Sequence, residues 1–224
     1  MIPVPRLYEI CEITREILWG EHEVARVIAR PFIKDGGKYV RTSNRHDYSI
    51  KPTEENLLCY LNKAGYRVTG VGKIGDIFCG VGIGDSVHTK SNIDGMEKTL
   101  DFMDTQHDGL IFTNLVEFDS TWGHRRDVEG YAGGLEAFDQ ELAKVLAKMR
   151  DDDLLIINAD HGCDPTFKGT DHTREYIPVI MYHKRMKHCI NLGNLKSFGD
   201  IGATLADNFG VQKLPIGNSL KSLL

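Results

Sequence analysis

The sequence lacks the features that mark several classes of protein. Its 27 basic and 32 acidic side chains give a net charge of −5, so no positive surplus favours a nucleic acid or an anionic membrane as partner. No apolar run approaches the roughly 20 residues that a membrane span needs. The first residues, MIPVPRLYEIC, contain neither the basic nor the apolar segment of a secretory signal peptide. We therefore expect neither a nucleic-acid-binding protein nor a membrane protein.

Cysteine is scarce, and its spacing excludes the common cysteine frameworks. The count of 5 is odd, and no CxxC pair occurs. Reduced thiols in a cytoplasm fit this pattern better than a set of disulfides. The sequence also lacks the GxGxxG turn of a dinucleotide-binding site. We interpret the glycine-rich stretch from Gly70 to Gly84 as a flexible loop beside a site.

The remaining composition is that of an ordinary globular protein, and its periodicity indicates the fold class. From residue 53 onward, helical and strand patterns alternate, which predicts an α/β domain with a largely parallel sheet flanked by helices. Chemistry in such a domain is expected at the C-terminal ends of the strands. Thr53 is the expected N-cap of the first helix of this domain, and Asp127 that of the longest. Upstream, the pattern predicts a helix, a strand and a hairpin that turns at residues 35–38.

Side chains that bind metals follow two of the predicted strands. The candidate ligands are Asp119, His124, Asp160, His161 and His172. Taken singly, such an Asp is often only a turn former or a helix cap, and such a His is often only a hydrogen-bonded structural residue. Their joint occurrence after the ends of predicted strands predicts a two-metal cluster of the kind that clamps the oxygens of a phosphoryl group. A mixed set of Asp and His suits manganese or zinc better than calcium.

Two segments around these residues closely resemble the phosphopentomutase family of the alkaline phosphatase superfamily. They are FDSTWGHRRDVEGY (118–131) and NADHGCDPTFKGTDHTREYIPVIMY (158–182). The upstream segments GEHEVARVIARPF, YVRTSNRHDYSIKP, GKIGDIF and KSNIDGMEKTL are similar to the same family, so the resemblance covers essentially the whole chain. It implies an alkaline-phosphatase-like core, of which residues 51–224 are the C-terminal, metal-binding part. Residues 1–50 are then the remainder of a smaller α+β cap domain.

The resemblance also implies how the candidate ligands divide between two metal ions. Asp119, His124 and His172 form one site. Asp160 and His161 belong to the other, which the family completes with an N-terminal Asp and a phosphorylated Thr. The usual metal of the family is manganese, with two ions in the complete site.

Arginine is frequent in the first 50 residues, and these arginines have two possible roles. Composition alone favours a solvated basic face, although the planar guanidinium group also matches phosphate oxygens. The resemblance implies the second interpretation for Arg26 and Arg41. Together with Lys73, these residues are expected to hold the distal phosphate of the substrate.

Three further residues near the candidate ligands have no single interpretation from the sequence. Arg125 and Arg126 either contact phosphate or pair with Asp127 and Glu129. Cys163 lies beside the ligands, where a thiol is able to bind metal. We interpret it as a packed thiol, because the ligand set that the resemblance implies is complete without it.

The implied reaction interconverts ribose 1-phosphate or deoxyribose 1-phosphate with the corresponding 5-phosphate. In the family, phosphate passes through a phosphorylated Thr that lies ahead of the cap domain, and no segment of this sequence matches it. Thr113, Thr121 and Thr170 lack the motif, so no nucleophile is assigned. We expect a cytoplasmic enzyme that acts on a sugar phosphate with an N-terminal partner segment. Two alternatives stay open: a non-catalytic product of a truncated or split gene, and another phosphomutase or phosphatase of the superfamily.

Overall fold

The chain folds into two compact units. The computed structural model describes residues 2–42, 44–105 and 108–224. The first unit consists of the chain up to Glu54 together with Asp76–Val81, and the second of Glu55–Gly75 and Gly82–Leu224. Across the described ranges, no helix combines the length and the apolar character that a membrane span requires.

Up to Ser49, the described residues of the first unit form one helix and two antiparallel pairs of strands. Its elements are α1 (Val4–Ile17), β1 (Arg26–Ala29), β2 (Phe32–Asp35), β3 (Lys38–Arg41) and β4 (His46–Ser49). The predicted hairpin is confirmed, because β2 pairs with β3 in antiparallel register. Gly36 and Gly37 form its turn with φ values of 54° and 82°, which a two-residue hairpin favours and which glycine adopts without strain. β1 pairs with β4, a strand that the polar sequence HDYS did not reveal.

Helices and strands alternate from residue 57 to residue 158, as predicted. The elements are α2 (Leu57–Lys63), β5 (Arg67–Val71), α3 (Ile74–Ile77), β6 (Asp85–Val87), α4 (Asn92–Thr105), β7 (Gly109–Thr113), a π-helix (Phe118–Gly123), α5 (Val128–Lys148), β8 (Leu155–Asn158), β9 (Val179–Tyr182), α6 (Gly199–Phe209) and a final 3-10 turn (Lys221–Leu223). This order is that of an α/β protein.

The parallel sheet has β5 at its centre. β6 and β7 pair with β5 on either side, both parallel to it, so the predicted parallel sheet is confirmed. β8 and β9 form a separate antiparallel pair. Residues 159–178 between them contain no helix that would carry the chain across for a parallel return.

The core of the second unit lies around β5 and between α4 and α5. Val68 and Val71 of β5 are fully buried, which is typical of a strand covered on both faces. Met96 of α4 packs with Val145 and Met149 at the C-terminal end of α5. The helical spacing of apolar residues in α5 therefore serves packing, as its pattern predicts.

The N-cap of α2 is Asn56 and not Thr53, so that prediction is wrong. The Asn56 side-chain oxygen accepts hydrogen bonds from the backbone N–H groups of Leu58 at 3.0 Å and Cys59 at 3.3 Å. A side-chain oxygen at this position satisfies donors of the first turn that have no partner within the helix. The helix therefore begins after residue 56.

The glycine-rich stretch is also more ordered than its composition predicts. It contains the end of β5 and the short helix α3 instead of a continuous loop, and β6 begins directly after it. A Cβ atom at Gly75 of α3 would lie 2.2 Å from the Ser86 hydroxyl oxygen of β6. Gly75 therefore permits the close approach of two elements.

Candidate metal centre

A π-helix places Asp119 beside His124. The backbone N–H of His124 donates to the carbonyl oxygen of Asp119 at 2.9 Å, which is the five-residue spacing of a π-helix. This wide turn follows the C-terminal end of β7. It brings the carboxylate and the imidazole together although five positions separate them in the sequence.

Trp122 anchors the π-helix on α5. Its ring contacts Phe118 edge-on, with 5.4 Å between the ring centroids. Gly134 of α5 makes room for the ring, because a Cβ atom there would lie 2.4 Å from Trp122 Cζ3. The contact between Trp122 and α5 therefore sets the position of Asp119 and His124.

The other candidate ligands lie in the loop that follows β8. Gly162 and Thr173 close the base of this loop, because the Thr173 N–H donates to the Gly162 carbonyl oxygen at 3.0 Å. The Thr173 hydroxyl accepts from the Asp164 N–H at 2.7 Å and donates to the Glu175 carboxylate at 2.9 Å. These bonds hold His172 at the end of the loop, next to its closed base.

The two segments bring three candidate ligands together. The Oδ1 atom of Asp119 lies 3.2 Å from Nε2 of His124 and 3.2 Å from Nε2 of His172. One potential ligand atom from each of the three residues lies within 4.8 Å of the others. One carboxylate and two imidazoles thus converge on a volume of atomic size.

The hydrogen bonds around these side chains leave their metal-binding atoms available. His124 Nδ1 lies 2.5 Å from the carbonyl oxygen of Thr170. A carbonyl only accepts, so Nδ1 carries the proton and Nε2 of the neutral ring presents a lone pair. Asp119 Oδ1 is buried and accepts no hydrogen bond from any group in the described ranges. A buried acceptor that faces two imidazole nitrogens fits a divalent cation, which would satisfy all three atoms.

Asp160 and His161 lie next to this group but do not join it. The nearest approach within the pair is 3.7 Å, between His161 Nε2 and Asp160 Oδ2, and 77% of the Asp160 side chain is exposed. The His161 ring stacks on His172 with 3.6 Å between centroids. The second metal site therefore stays a prediction, because no third candidate ligand joins Asp160 and His161 within the described residues.

Cys163 packs at the junction of the two ligand-bearing segments. It is 8% exposed, and a Cβ atom at Gly123 would lie 2.4 Å from its Sγ. Burial, reinforced by the negative charge of Asp119, raises the pKa of the Cys163 thiol. A neutral, buried thiol agrees with its interpretation as a packed side chain.

The three basic residues expected to hold phosphate lie in different parts of the chain. Arg26 lies on β1 of the first unit, where its guanidinium group is 3.4 Å from the Asp47 carboxylate. Lys73 belongs to the second unit and follows β5. The side chain of Arg41 lies outside the described residues. Their role toward phosphate stays a prediction.

Asp47 also binds a neighbouring arginine that the sequence did not single out. Arg45 contacts both carboxylate oxygens of Asp47, at 2.7 and 2.9 Å. These bonds hold the pKa of Asp47 below its ordinary value. Arg45 and Arg30 line a cavity of about 200 Å³ with Pro31 and Thr42. Asp47 thus neutralises part of the positive charge of Arg26 and Arg45.

Comparison with known proteins identifies relatives along nearly the whole chain. A phosphopentomutase of Clostridioides difficile (strain 630) is 56% identical over 222 residues, which are 99% of this chain and 57% of that protein. A phosphopentomutase of Clostridium novyi (strain NT) is 52% identical over 219 residues, which are 98% of this chain and 56% of that protein. The chain therefore spans somewhat more than half the length of these curated relatives.

The fold comparison agrees with the α/β architecture. A crystal structure of Leishmania mexicana phosphoglycerate mutase at low cobalt concentration is similar with a TM-score of 0.53 and 17% sequence identity. The similarity covers 72% of this chain and 38% of that one, and at this identity it concerns the fold alone. A family model described as the metalloenzyme superfamily matches residues 21–213. The chain therefore belongs to the metalloenzyme superfamily.

Proposed function

We propose that this chain forms the metal-binding part of a phosphopentomutase. The reaction interconverts ribose 1-phosphate or deoxyribose 1-phosphate with the corresponding 5-phosphate. The observation that carries this proposal is the 56% identity to the Clostridioides difficile phosphopentomutase along 99% of the chain. The cluster of Asp119, His124 and His172 adds a site whose chemistry suits phosphoryl transfer.

The proposed domain division assigns residues 1–50 to the remainder of a cap domain and 51–224 to the core. The first compact unit, whose longer segment ends at Glu54, supports this division, and Asp76–Val81 of the proposed core also belong to that unit. We place the enzyme in the cytoplasm, and its five unpaired cysteines agree with a reducing compartment.

We propose manganese as the metal of both sites. Asp119, His124 and His172 would hold one ion, and Asp160 and His161 would contribute to the second. When bound, the ions stabilise the negative charge of the transferring phosphoryl group. The preference for manganese rests on the mixed carboxylate and imidazole donors, which also suit zinc.

The residues of this chain would orient the substrate and the ligands. Arg26, Arg41 and Lys73 are proposed to hold the distal phosphate of the sugar, with the guanidinium groups binding its oxygens as planar forks. Asp47 competes for Arg26 at a long distance of 3.4 Å, so a phosphate dianion would displace a weak ion pair. Thr170 keeps the His124 ring in the tautomer that a metal ligand needs.

The nucleophilic Thr and one further Asp are proposed to come from an N-terminal partner segment. The relatives contain a part that this chain does not span. Among the described strands, β7 pairs only with β5, and β8 only with β9. Each therefore has an edge on which a further strand is able to form hydrogen bonds. Such a segment would reach the C-terminal ends of these strands, where the ligand-bearing loops begin.

The experiment joins this chain to the part of the Clostridioides difficile enzyme that it does not span. The fused protein and the chain alone are assayed with ribose 1-phosphate, manganese and a catalytic amount of sugar bisphosphate. We expect turnover by the fused protein, none by the chain alone, and none by the fused protein with His172→Ala. A folded fused protein that turns over 3-phosphoglycerate but neither pentose phosphate would overturn the proposed substrate.

A further inference from the structure

Arg126 connects the two segments that carry the candidate metal ligands. It lies two positions after His124, yet its side chain reaches the loop that carries His172. Nε donates to the carbonyl oxygen of Gly169 and Nη1 to that of Asp164, each at 2.5 Å, and Nη2 donates to that of Asp171 at 2.7 Å. All three acceptors are backbone groups of one loop. These contacts differ from both interpretations of Arg126 that the sequence left open, which were phosphate and a neighbouring carboxylate.

The three acceptors lie at both ends of the loop before His172, so the guanidinium group holds these two ends at a fixed distance. Asp164 lies near the beginning of the loop, and Gly169 and Asp171 lie near its end, directly before His172. The residues along this loop from 166 to 172 are exposed, so little packing holds it. Hydrogen bonds from a charged donor are stronger than those between neutral groups. Beside the bonds that close the base of the loop at Gly162 and Thr173, Arg126 therefore supplies three charge-assisted hydrogen bonds that shape the loop.

The second connection between the segments depends on that shape. The carbonyl oxygen of Thr170 accepts from His124 Nδ1, and Thr170 lies between two of the acceptors of Arg126. If the loop opened, His124 would lose the partner that selects its tautomer, and His172 would move from Asp119. Both candidate imidazole ligands thus depend on the same loop conformation.

The backbone of Arg126 is strained in a way that agrees with this role. Its φ is 56°, in the left-handed region that residues other than glycine seldom adopt. Such conformations persist where the surroundings hold them, and they occur often at functional sites. In this backbone conformation, the Arg126 side chain reaches the loop that carries His172.

We propose that Arg126 is a positioning residue that fixes both imidazole ligands of the metal centre. The inference rests on the metal centre of the proposed function, but not on the identity of the sugar phosphate. Its guanidinium group is required as a planar fork, because one lysine ammonium is unable to reach three divergent carbonyls with the same geometry. Loss of the fork should weaken metal binding without removing any ligand.

The test compares Arg126→Ala and Arg126→Lys with Arg125→Ala. Arg125 is exposed, and no hydrogen bond from its side chain occurs within the described part of the chain, so it is the matched control. Binding of manganese is measured from the free-ion signal in electron paramagnetic resonance. We expect Arg126→Ala to raise the Kd about 10- to 100-fold, as for other groups that orient metal ligands. Arg126→Lys should be intermediate, and Arg125→Ala should match the parent.

Limited proteolysis gives a second measurement that needs no metal. Lys168 lies in the loop that Arg126 contacts. With chelator present, trypsin should therefore cleave after Lys168 faster in Arg126→Ala than in the parent. Circular dichroism checks that each variant is folded. If Arg126→Ala does not fold, Arg126→Lys takes its place in both measurements. An unchanged Kd with unchanged cleavage at Lys168 would overturn the role of Arg126. A parent chain that binds no manganese would instead overturn the metal centre, and with it the role of Arg126 toward metal.

Discussion

Asp119 has one carboxylate oxygen that is buried and accepts no hydrogen bond within the described residues. Two imidazole nitrogens lie 3.2 Å from it. Burying a carboxylate oxygen that accepts no hydrogen bond lowers stability, and a divalent ion at this point would remove that cost. The side chain is therefore expected to affect stability in opposite directions with and without metal.

We predict that Asp119→Asn abolishes the stabilisation of the protein by manganese. With chelator present, its Tm should equal or exceed that of the parent, because a neutral amide replaces a carboxylate whose buried Oδ1 accepts no hydrogen bond. With manganese at about 100 times the Kd, binding should stabilise the parent by about 2.7 kcal/mol and the variant by almost nothing. Thermal unfolding with chelator and with manganese measures both effects.

Asp171→Asn is the control for this prediction, because only the backbone of Asp171 contacts Arg126. It should keep the response of the parent to manganese. A shift in Tm for Asp119→Asn as large as that of the parent would show that Asp119 is not a ligand.

At the scale of elements, the π-helix depends on its contact with α5. Trp122 fits against α5 because residues 130 and 134 have no side chain. The neighbouring Gly133 is exposed, and a Cβ atom there would meet nothing within 4 Å. Two adjacent glycines of one helix thus differ in their function, one for packing and one without a packing role.

We predict opposite effects for alanine at these two positions. Gly134→Ala should destabilise the protein by about 1 to 3 kcal/mol, since the new methyl group overlaps the Trp122 ring. It should also weaken manganese binding, because the π-helix carries Asp119 and His124. Gly133→Ala should stabilise the protein by about 1 kcal/mol through helix propensity alone. Urea unfolding and a manganese titration measure both variants, and equal effects of the two substitutions would contradict this account of Trp122.

At the scale of the whole molecule, the candidate ligands belong to one of the two compact units. Asp119, His124 and His172 all lie in the second unit. Described hydrogen bonds from His124 and Arg126 join the segment that carries Asp119 to the loop that carries His172. Metal binding is therefore expected to order the second unit locally.

We predict that manganese slows hydrogen exchange in residues 118–126 and 162–173. The backbone groups of these segments are held by the loop contacts that the metal would stabilise, so their local opening should become rarer. Peptides from residues 26–49 of the first unit serve as the internal reference and should change little. Exchange followed by mass spectrometry, with chelator and with manganese, measures this directly. Equal protection of both regions would contradict a metal site confined to the second unit.

The sequence by itself determined the elements that depend on neighbouring residues. Alternation of helical and strand patterns predicts the α/β class, and Asp127 is confirmed as the N-cap of α5. The hairpin turn at Gly36 and Gly37 follows from residue types that favour its backbone angles. Asp119 and His124 are candidates from the sequence because they follow a strand and lie close to one another along the chain.

Only the tertiary structure decided the contacts between distant segments. The bonds from Arg126 to the loop span 38 to 45 residues. Spacing along the sequence does not show which distant carbonyl groups a side chain contacts. Both interpretations of Arg126 from the sequence therefore missed these hydrogen bonds. The pairing of β8 with β9 and the packing of Gly75 against Ser86 depend in the same way on the path of the chain. Residue type and position along the sequence identify the candidate ligands, whereas the folding of distant segments against one another decides which of these ligands come together.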